Sequence, residues 1–286
     1  MILNCPAKIN LFLKLTGRRA NGYHELESLF AFLNLHDALE VIPSNKFSFT
    51  INGEFATGLT PQQNIITKIL DFFVTEFAIS RNLKITLTKN IPVGAGLGGG
   101  SSNAAYFMMA LNKIFSLQLG TQKLQEISTK FGSDIAFFFA GEASIVKGCG
   151  EIIESYPHFQ PISALLINPK INLSTPQVFQ KFSAPFSAKI STAELCKKNV
   201  FDLIENFSND LTNPAIAILP AIAEILQSLK NEDAKIAKMS GSGASCFAIF
   251  ADEKKLNDAQ KNLMRKFPNY FVKQVEILSK IENNFV

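Results

Sequence analysis

The stretch "PVGAGLGGGSSNAAY" (Pro92–Tyr106) constrains this chain more than any other. Five of the chain's 16 glycines, Gly94, Gly96, Gly98, Gly99 and Gly100, fall inside it. Glycine gives up more backbone freedom on folding than any other residue, so a dense cluster marks a backbone that bends sharply or is approached closely. Beyond the glycines, Ala104, Met108, Leu111 and Phe115 recur at helical spacing, which predicts a helix that Ser101 or Ser102 can cap. Ahead of them "LKITLT" (Leu83–Thr88) alternates with period two and reads as a strand. The order is therefore strand, Pro92, glycine loop, helix N-terminus. Consecutive glycines expose successive backbone N–H groups, and the helix behind them adds unpaired donors and a positive dipole end. Together these make an anion cradle whose usual guest is a phosphate, set against the plainer reading of a flexible, serine-capped turn.

Other phosphate and hydrolase motifs fit poorly. Gly94, Gly96 and Gly99 match G-x-G-x-x-G, but Pro92 interrupts the approach from the strand and the following region is helical. No Gly-Lys-Ser/Thr closes a Walker loop, and no G-x-S-x-G surrounds Ser101 or Ser242.

Along the rest of the chain, "KINLFLKL" (Lys8–Leu15) and "FSFTI" (Phe47–Ile51) read as strands. "NIITKILDFFVTEF" reads as a helix with Asn64 as its N-cap. A third helix is expected over about Gln122–Phe131, ending at Gly132, and "EASIVKGCGEII" is strand-like. The pattern then restarts: "ISALLINP" as strand, "TPQVFQKF" as short helix, a weakly patterned loop over Lys181–Val200, and helices over Asn213–Lys230. A second glycine cluster lies in "KMSGSGASCFAIF" (Lys238–Phe250), followed by the amphipathic "EKKLNDAQKNLMRKF" and a closing strand "YFVKQVEIL". Strands and helices alternate without a regular βαβ period. This predicts a mixed α+β architecture of two domains, residues 1–155 and 156–286, a division the 286-residue length accommodates.

Composition excludes several classes. Hydrophobic content is 47% and charged content 18%, which is globular. The net charge of +4 suits a phosphate-bearing small molecule and is too weak for a nucleic-acid partner. Cys5, Cys149, Cys196 and Cys246 are scattered without C-x-x-C spacing, and His24, His36 and His158 lack metal-ligand spacing. Reduced thiols and no protein-built metal site are the expectation. "MILNCPAKIN" lacks a signal peptide's apolar core and no continuous apolar run reaches the ~18 residues of a membrane span, so a cytoplasmic protein without a membrane partner is expected.

Three stretches carry a family resemblance. "PVGAGLGGGSSNAA" resembles the phosphate-binding signature of the GHMP kinases, "PAKINLFLKLTGRRANGYHEL" (Pro6–Leu26) their N-terminal motif, and "MSGSGASCFAIF" (Met239–Phe250) their C-terminal glycine loop. "GRRANGYHEL" and "FGSDIAFFFAG" (Phe131–Gly141) are similar to one branch, which phosphorylates the 2-hydroxyl of 4-diphosphocytidyl-2-C-methyl-D-erythritol. The resemblance spans the chain. It implies an N-terminal domain like the second domain of ribosomal protein S5 and a ferredoxin-like C-terminal domain. It also implies phosphate transfer from ATP with Mg2+, by a monomer or homodimer.

The resemblance implies residue roles as well. Asp134 maps to the general base, with an N-cap for "IAFFF" as the alternative; Lys8 maps to the catalytic lysine, with Asn10 on the same strand face in support. Pro92, Val93, Gly94, Ala95, Gly96, Leu97, Gly98, Gly99, Gly100, Ser101 and Ser102 would wrap the ATP phosphates, and Asn64 lies in a segment placed near adenine. Tyr23 and His24 would read the cytosine, Phe179 would stack on it beside Thr175, and Phe30 would pack nearby. "SGSGAS" (Ser240–Ser245) would close on the diphosphate side. Rival readings are another alcohol, such as homoserine or mevalonate, or a non-catalytic nucleotide- or RNA-binding module.

Overall fold

The structure is a computed structural model that describes residues 1–281; residues 282–286, the end of the expected second domain, lie outside the described residues. It opens with a long antiparallel hairpin, β1 (Ile2–Arg18) and β2 (His24–Pro43), paired from Ile2↔Glu40 to Arg18↔His24 with register shifts at Pro6/Lys8, Asn10/Phe12 and Leu15/Gly17. The strand expected over Lys8–Leu15 is the middle of β1. β2, unread in the sequence, is the spine of the molecule. β1 pairs with it along its length, while three later strands, Ser144–Gly148, Phe271–Leu278 and Leu83–Thr88, take its residues Leu26–Phe30, Phe32–Leu33 and Ala38–Pro43 in turn. The first half of β2, Leu26–Leu33, is buried on both faces and shows no alternation, whereas its second half alternates over Leu33–Val41 with the buried Asp37 standing at one of the inward positions.

β3 (Ser48–Asn52) and β4 (Leu83–Thr88) run parallel, as a crossover through the helix α1 (Ile65–Phe77) allows. Asn64 caps α1 as expected, its Oδ1 accepting the Ile66 N–H at 3.0 Å, and Ile66, Ile69, Leu70 and Phe73 are its buried face. After the glycine loop come α2 (Gly99–Ile114), α3 (Thr121–Ser128) and a 3-10 segment, Ser133–Phe139. α3 stops short of the expected Phe131, and Gly132 is extended (φ 168°) instead of forming a left-handed cap. The strand-like "EASIVKGCGEII" is a hairpin of β5 (Ser144–Gly148) and β6 (Ile152–Ser155).

The second half holds β7 (Ile162–Asn168), α4 (Thr175–Gln180), α5 (Thr192–Cys196), α6 (Val200–Asn206), α7 (Thr212–Ile218), α8 (Ala221–Asn231), β8 (Ile236–Met239), β9 (Cys246–Ile249), α9 (Glu253–Lys266) and β10 (Phe271–Leu278). Its strands lie in the order β10-β7-β9-β8, all antiparallel. That is the fourth-first-third-second order of a ferredoxin-like unit, so the α+β expectation holds. β10 joins this sheet to β2 through Ile277↔Leu33 and Leu278↔Phe32.

The tract 181–200 is not a plain loop. It contains α5, fixed by a capping box between Ser191 and Glu194, and the segment before it is strapped to the hairpin. The Ser187 N–H donates to the Leu15 carbonyl at 2.8 Å, Lys14 Nζ donates to the Ala188 carbonyl, and the Ile190 N–H donates to the buried Glu27 carboxylate at 3.0 Å. The helical stretch expected over Asn213–Lys230 is divided into α7 and α8 at Pro220.

Alternate residues of one strand enter opposite cores. Leu165 and Ile167 pack with the face covered by α1, α2, α8 and α9, whereas Ala164 and Leu166 pack with Ile9, Leu11 and Leu203. Among the described residues no helix is long and apolar enough to cross a membrane, and the four cysteines are free thiols.

Candidate active site

The glycine loop leaves β4, turns through Pro92–Gly98 and delivers the chain into α2. The N-cap is Gly98, in the left-handed region at φ 67°, and no side chain caps it. Ser101 and Ser102 therefore do not cap the helix. It begins upstream of them, and the Ser102 N–H already bonds the Gly98 carbonyl at 2.8 Å. This leaves the first-turn amides of α2 open toward the cleft, the arrangement an anion needs. Ser101 lines the cleft, while Ser102 is buried with its Oγ unpartnered among the described residues.

Two glycines let other groups close on the loop. A Cβ at Gly98 would lie 2.7 Å from Lys8 Cγ, so the missing side chain is what allows the lysine to pack beneath the loop. A Cβ at Gly96 would lie 2.2 Å from the Ser240 carbonyl oxygen, which locks the first glycine loop onto the second. Ser240 Oγ donates to the Gly96 carbonyl at 3.1 Å and accepts the Asn10 N–H at 3.1 Å. The second loop, the turn between β8 and β9, thus braces the first; its Gly241 and Ser242 face the cleft, and Ser242 Oγ is 2.8 Å from Thr175 Oγ1.

Beneath the loop stands the charged pair. Lys8 is almost fully buried, its Nζ donating to Asn10 Oδ1 at 2.6 Å and lying 3.3 Å from Asp134 Oδ2. The Phe30 ring supports the ammonium from 4.4 Å, and Asn10 Nδ2 donates to Ser28 Oγ at 2.9 Å. A buried ammonium is tolerable only with partners of this kind. Asp134 lies in the first turn of the 3-10 segment, one-third exposed. The phenylalanines after it anchor that segment: Phe137 stacks on Phe32 at 4.6 Å and meets Phe30 edge-on at 5.2 Å. The run "FFF" is thus core packing that fixes a carboxylate.

At the far end of the cleft the hairpin turn presents Tyr23, exposed at the lip, and His24. His24 is ringed by Phe179 at 5.4 Å, Phe182 at 6.0 Å and Phe186 at 6.2 Å. Burial, with the Arg18 guanidinium adding to it, pulls the imidazole below its ordinary pKa, so the neutral ring is favoured.

One cleft of about 810 Å3 collects these groups. Of the residues expected from sequence, Lys8, Asn10, Tyr23, His24, Asn64, Thr175, Phe179 and Asp134 line it, as do Pro92 to Gly96 and Gly98 to Ser101. Leu97 and Ser102 do not; the Leu97 carbonyl instead accepts the Lys8 N–H at 2.9 Å. The sequence reading missed Lys89 and Asn103, which line the cleft beside the glycine loop, and the two further phenylalanines around His24. The placement of Lys89 directly before the loop was a signal for the first pair. Phe182 ends the stretch read as a short helix, and Phe186 lies in the weakly patterned tract beyond it.

Comparison with known proteins agrees with the geometry. The family described as GHMP kinases N terminal domain matches residues 64–142, and GHMP kinases C terminal matches residues 192–269. A protein of Chelativorans sp. (strain BNC1) named 4-diphosphocytidyl-2-C-methyl-D-erythritol kinase is 36% identical, covering 96% of each chain. One of the same name from Paramagnetospirillum magneticum is 32% identical over 97% of this chain and 98% of its own. A crystal structure of 4-(cytidine 5'-diphospho)-2C-methyl-D-erythritol kinase superposes with a TM-score of 0.76 at 26% identity, covering 96% of this chain and 99% of that one. Both family halves occur in order around one cleft, and full-length relatives match end to end: the chain belongs to the GHMP kinase family.

Proposed function

We propose that this kinase transfers the γ-phosphate of ATP to the 2-hydroxyl of 4-diphosphocytidyl-2-C-methyl-D-erythritol. One observation carries the reading: the Lys8–Asp134 pair stands in a single cleft between an open-amide glycine cradle and an aromatic pocket around a neutral histidine. Phosphoryl transfer needs positioning and charge neutralisation more than covalent help from the protein. The cradle and the α2 N-terminus hold the phosphates of ATP. Asp134 Oδ2 takes the proton of the substrate hydroxyl as its oxygen bonds to the γ-phosphorus and the bond to the bridging oxygen breaks, releasing ADP. The Lys8 ammonium, 3.3 Å from Asp134 Oδ2, orients that carboxylate and offsets the negative charge that develops. At the other end neutral His24 can both donate and accept toward the cytosine edge, while Phe179 and Tyr23 offer ring faces.

The residues present also fit magnesium arriving with the nucleotide. Asp134 is the one carboxylate among the residues lining the cleft, and no group of three or more His, Cys, Asp or Glu that could hold a metal occurs among the described residues. Magnesium commonly binds through one or two carboxylates, substrate phosphates and water, so Asp134 and the Ser101 hydroxyl are the donors this chain would add. The ion supplies neutralisation of phosphate charge. We further read residues 1–155 and 156–286 as two domains, because β6 ends at Ser155 and the ferredoxin-like strand order starts with β7.

The test is coupled ADP release with Mg-ATP and a panel of the cytidylyl-methylerythritol, homoserine, mevalonate and galactose. Turnover with the cytidylyl compound alone supports the reading, and turnover with another alcohol in its place discards the cytidine pocket.

A further inference from the structure

A buried carboxylate outside the cleft grips both ends of the glycine loop. Asp37, in β2, is fully buried and does not line the cleft. Its Oδ1 accepts the N–H groups of Asn90 at 2.7 Å and Ile91 at 2.9 Å, the residues that lead into Pro92. Its Oδ2 accepts from Lys89 Nζ and, at 3.0 Å, from Asn103 Nδ2 in the helix that leaves the loop. Lys89 Nζ in turn donates to Asn103 Oδ1 at 3.1 Å, which closes the triangle.

The triangle touches the site on one side only. Lys89 and Asn103 both line the cleft, and a Cβ at Gly99 would stand 3.3 Å from Lys89 Nζ. No bond of Asp37 runs to the Lys8–Asp134 pair or to the His24 pocket. A charge this deeply buried is costly unless every oxygen is occupied, and here both oxygens are used twice. A hydrophobic pair could fill the same space, but it could not fix two backbone amides on one side of the loop and a helix side chain on the other.

We infer that Asp37 is a positioning residue for nucleotide binding: it sets the separation of the two ends of the glycine loop and thereby the affinity for ATP. This rests on the reading of the loop as the ATP cradle and is independent of which alcohol is phosphorylated.

The test is direct titration of the purified full chain with ADP and, separately, CDP. Asp37→Asn keeps an acceptor for Asn90 and Ile91, but puts an amide nitrogen against the two donors Lys89 and Asn103. ADP binding should weaken by about tenfold, the equivalent of one to two lost polar contacts, while CDP binding is unchanged. Equal weakening of both ligands, or unchanged ADP affinity with only a smaller folded fraction, overturns the inference. Should Asp37→Asn leave too little folded protein, the comparison is Asp37→Glu, which keeps the charge facing Lys89 but displaces the carboxylate by one methylene. ADP binding must again weaken relative to CDP binding, and unchanged ADP affinity overturns the inference. Wild-type protein that binds ADP but not CDP would count against the cytidine pocket and leave this inference standing.

Discussion

Asn10 Oδ1 lies 2.6 Å from Lys8 Nζ, closer than the Asp134 carboxylate at 3.3 Å. The ammonium is therefore held from within its own strand and leans toward Asp134. Ser240 Oγ accepts the Asn10 N–H in turn, so the second glycine loop reaches the Lys8–Asp134 pair through one side chain. Asn10→Ala should lower kcat while moving the KM for ATP little, and should cost about 1–3 kcal/mol of stability through the partners left unmatched. Steady-state kinetics with a denaturation curve checks both.

Asp134→Asn removes the proton acceptor but keeps the shape. Turnover should fall by about 10²–10⁴, the usual contribution of general-base catalysis, with ADP affinity retained. Full turnover in that variant would remove Asp134 from the proton-transfer role.

Gly98→Ala places a methyl group against the Lys8 stem and the Phe138 ring, at a left-handed φ of 67°. The backbone penalty alone is about 1–2 kcal/mol. Because the displaced group is Lys8, kcat should fall more than either KM rises, which separates this variant from a loop that merely binds ATP less well.

His24 predicts a pH dependence. Its folded pKa is lowered from the ordinary 6.5 by burial and then Arg18. The neutral ring therefore persists in the free enzyme as pH falls to about 6.5, and the KM for the cytidylyl substrate should begin to rise only below that value. The linkage has the same sign: the unfolded chain takes up the proton first, so stability falls as pH drops through the unfolded value toward the folded one. His24→Gln should abolish the acidic rise in KM.

Phe137→Ala tests whether the aromatic run positions the carboxylate. Truncating a fully buried phenylalanine costs about 3–5 kcal/mol. If Phe137 also anchors the segment carrying Asp134, kcat measured on the folded fraction should drop too.

The sequence by itself determined the elements whose periodicity is undisturbed and the loop whose composition has few other uses. α1, with its Asn64 cap, and β4 follow the pattern residue by residue, and the glycine loop runs into the N-terminus of α2 as its composition predicts. Lys8, Asp134, His24 and Phe179 were named by resemblance, and the cleft brings them together. Only the tertiary structure decided the rest. The first half of β2, Leu26–Leu33, shows no alternation because it is buried on both faces, and β1 was read only over Lys8–Leu15, its register shifts at Pro6/Lys8 and Leu15/Gly17 falling at the two ends of that stretch. The Asp37–Lys89–Asn103 triangle joins residues from a strand, a loop edge and a helix. Phe182 and Phe186 reach His24 only because the strap before α5 is tied to the hairpin. Local pattern encodes the period of an element and the chemistry of a motif. Contacts between elements distant in the chain depend on how those elements pack, and no window of sequence contains both partners.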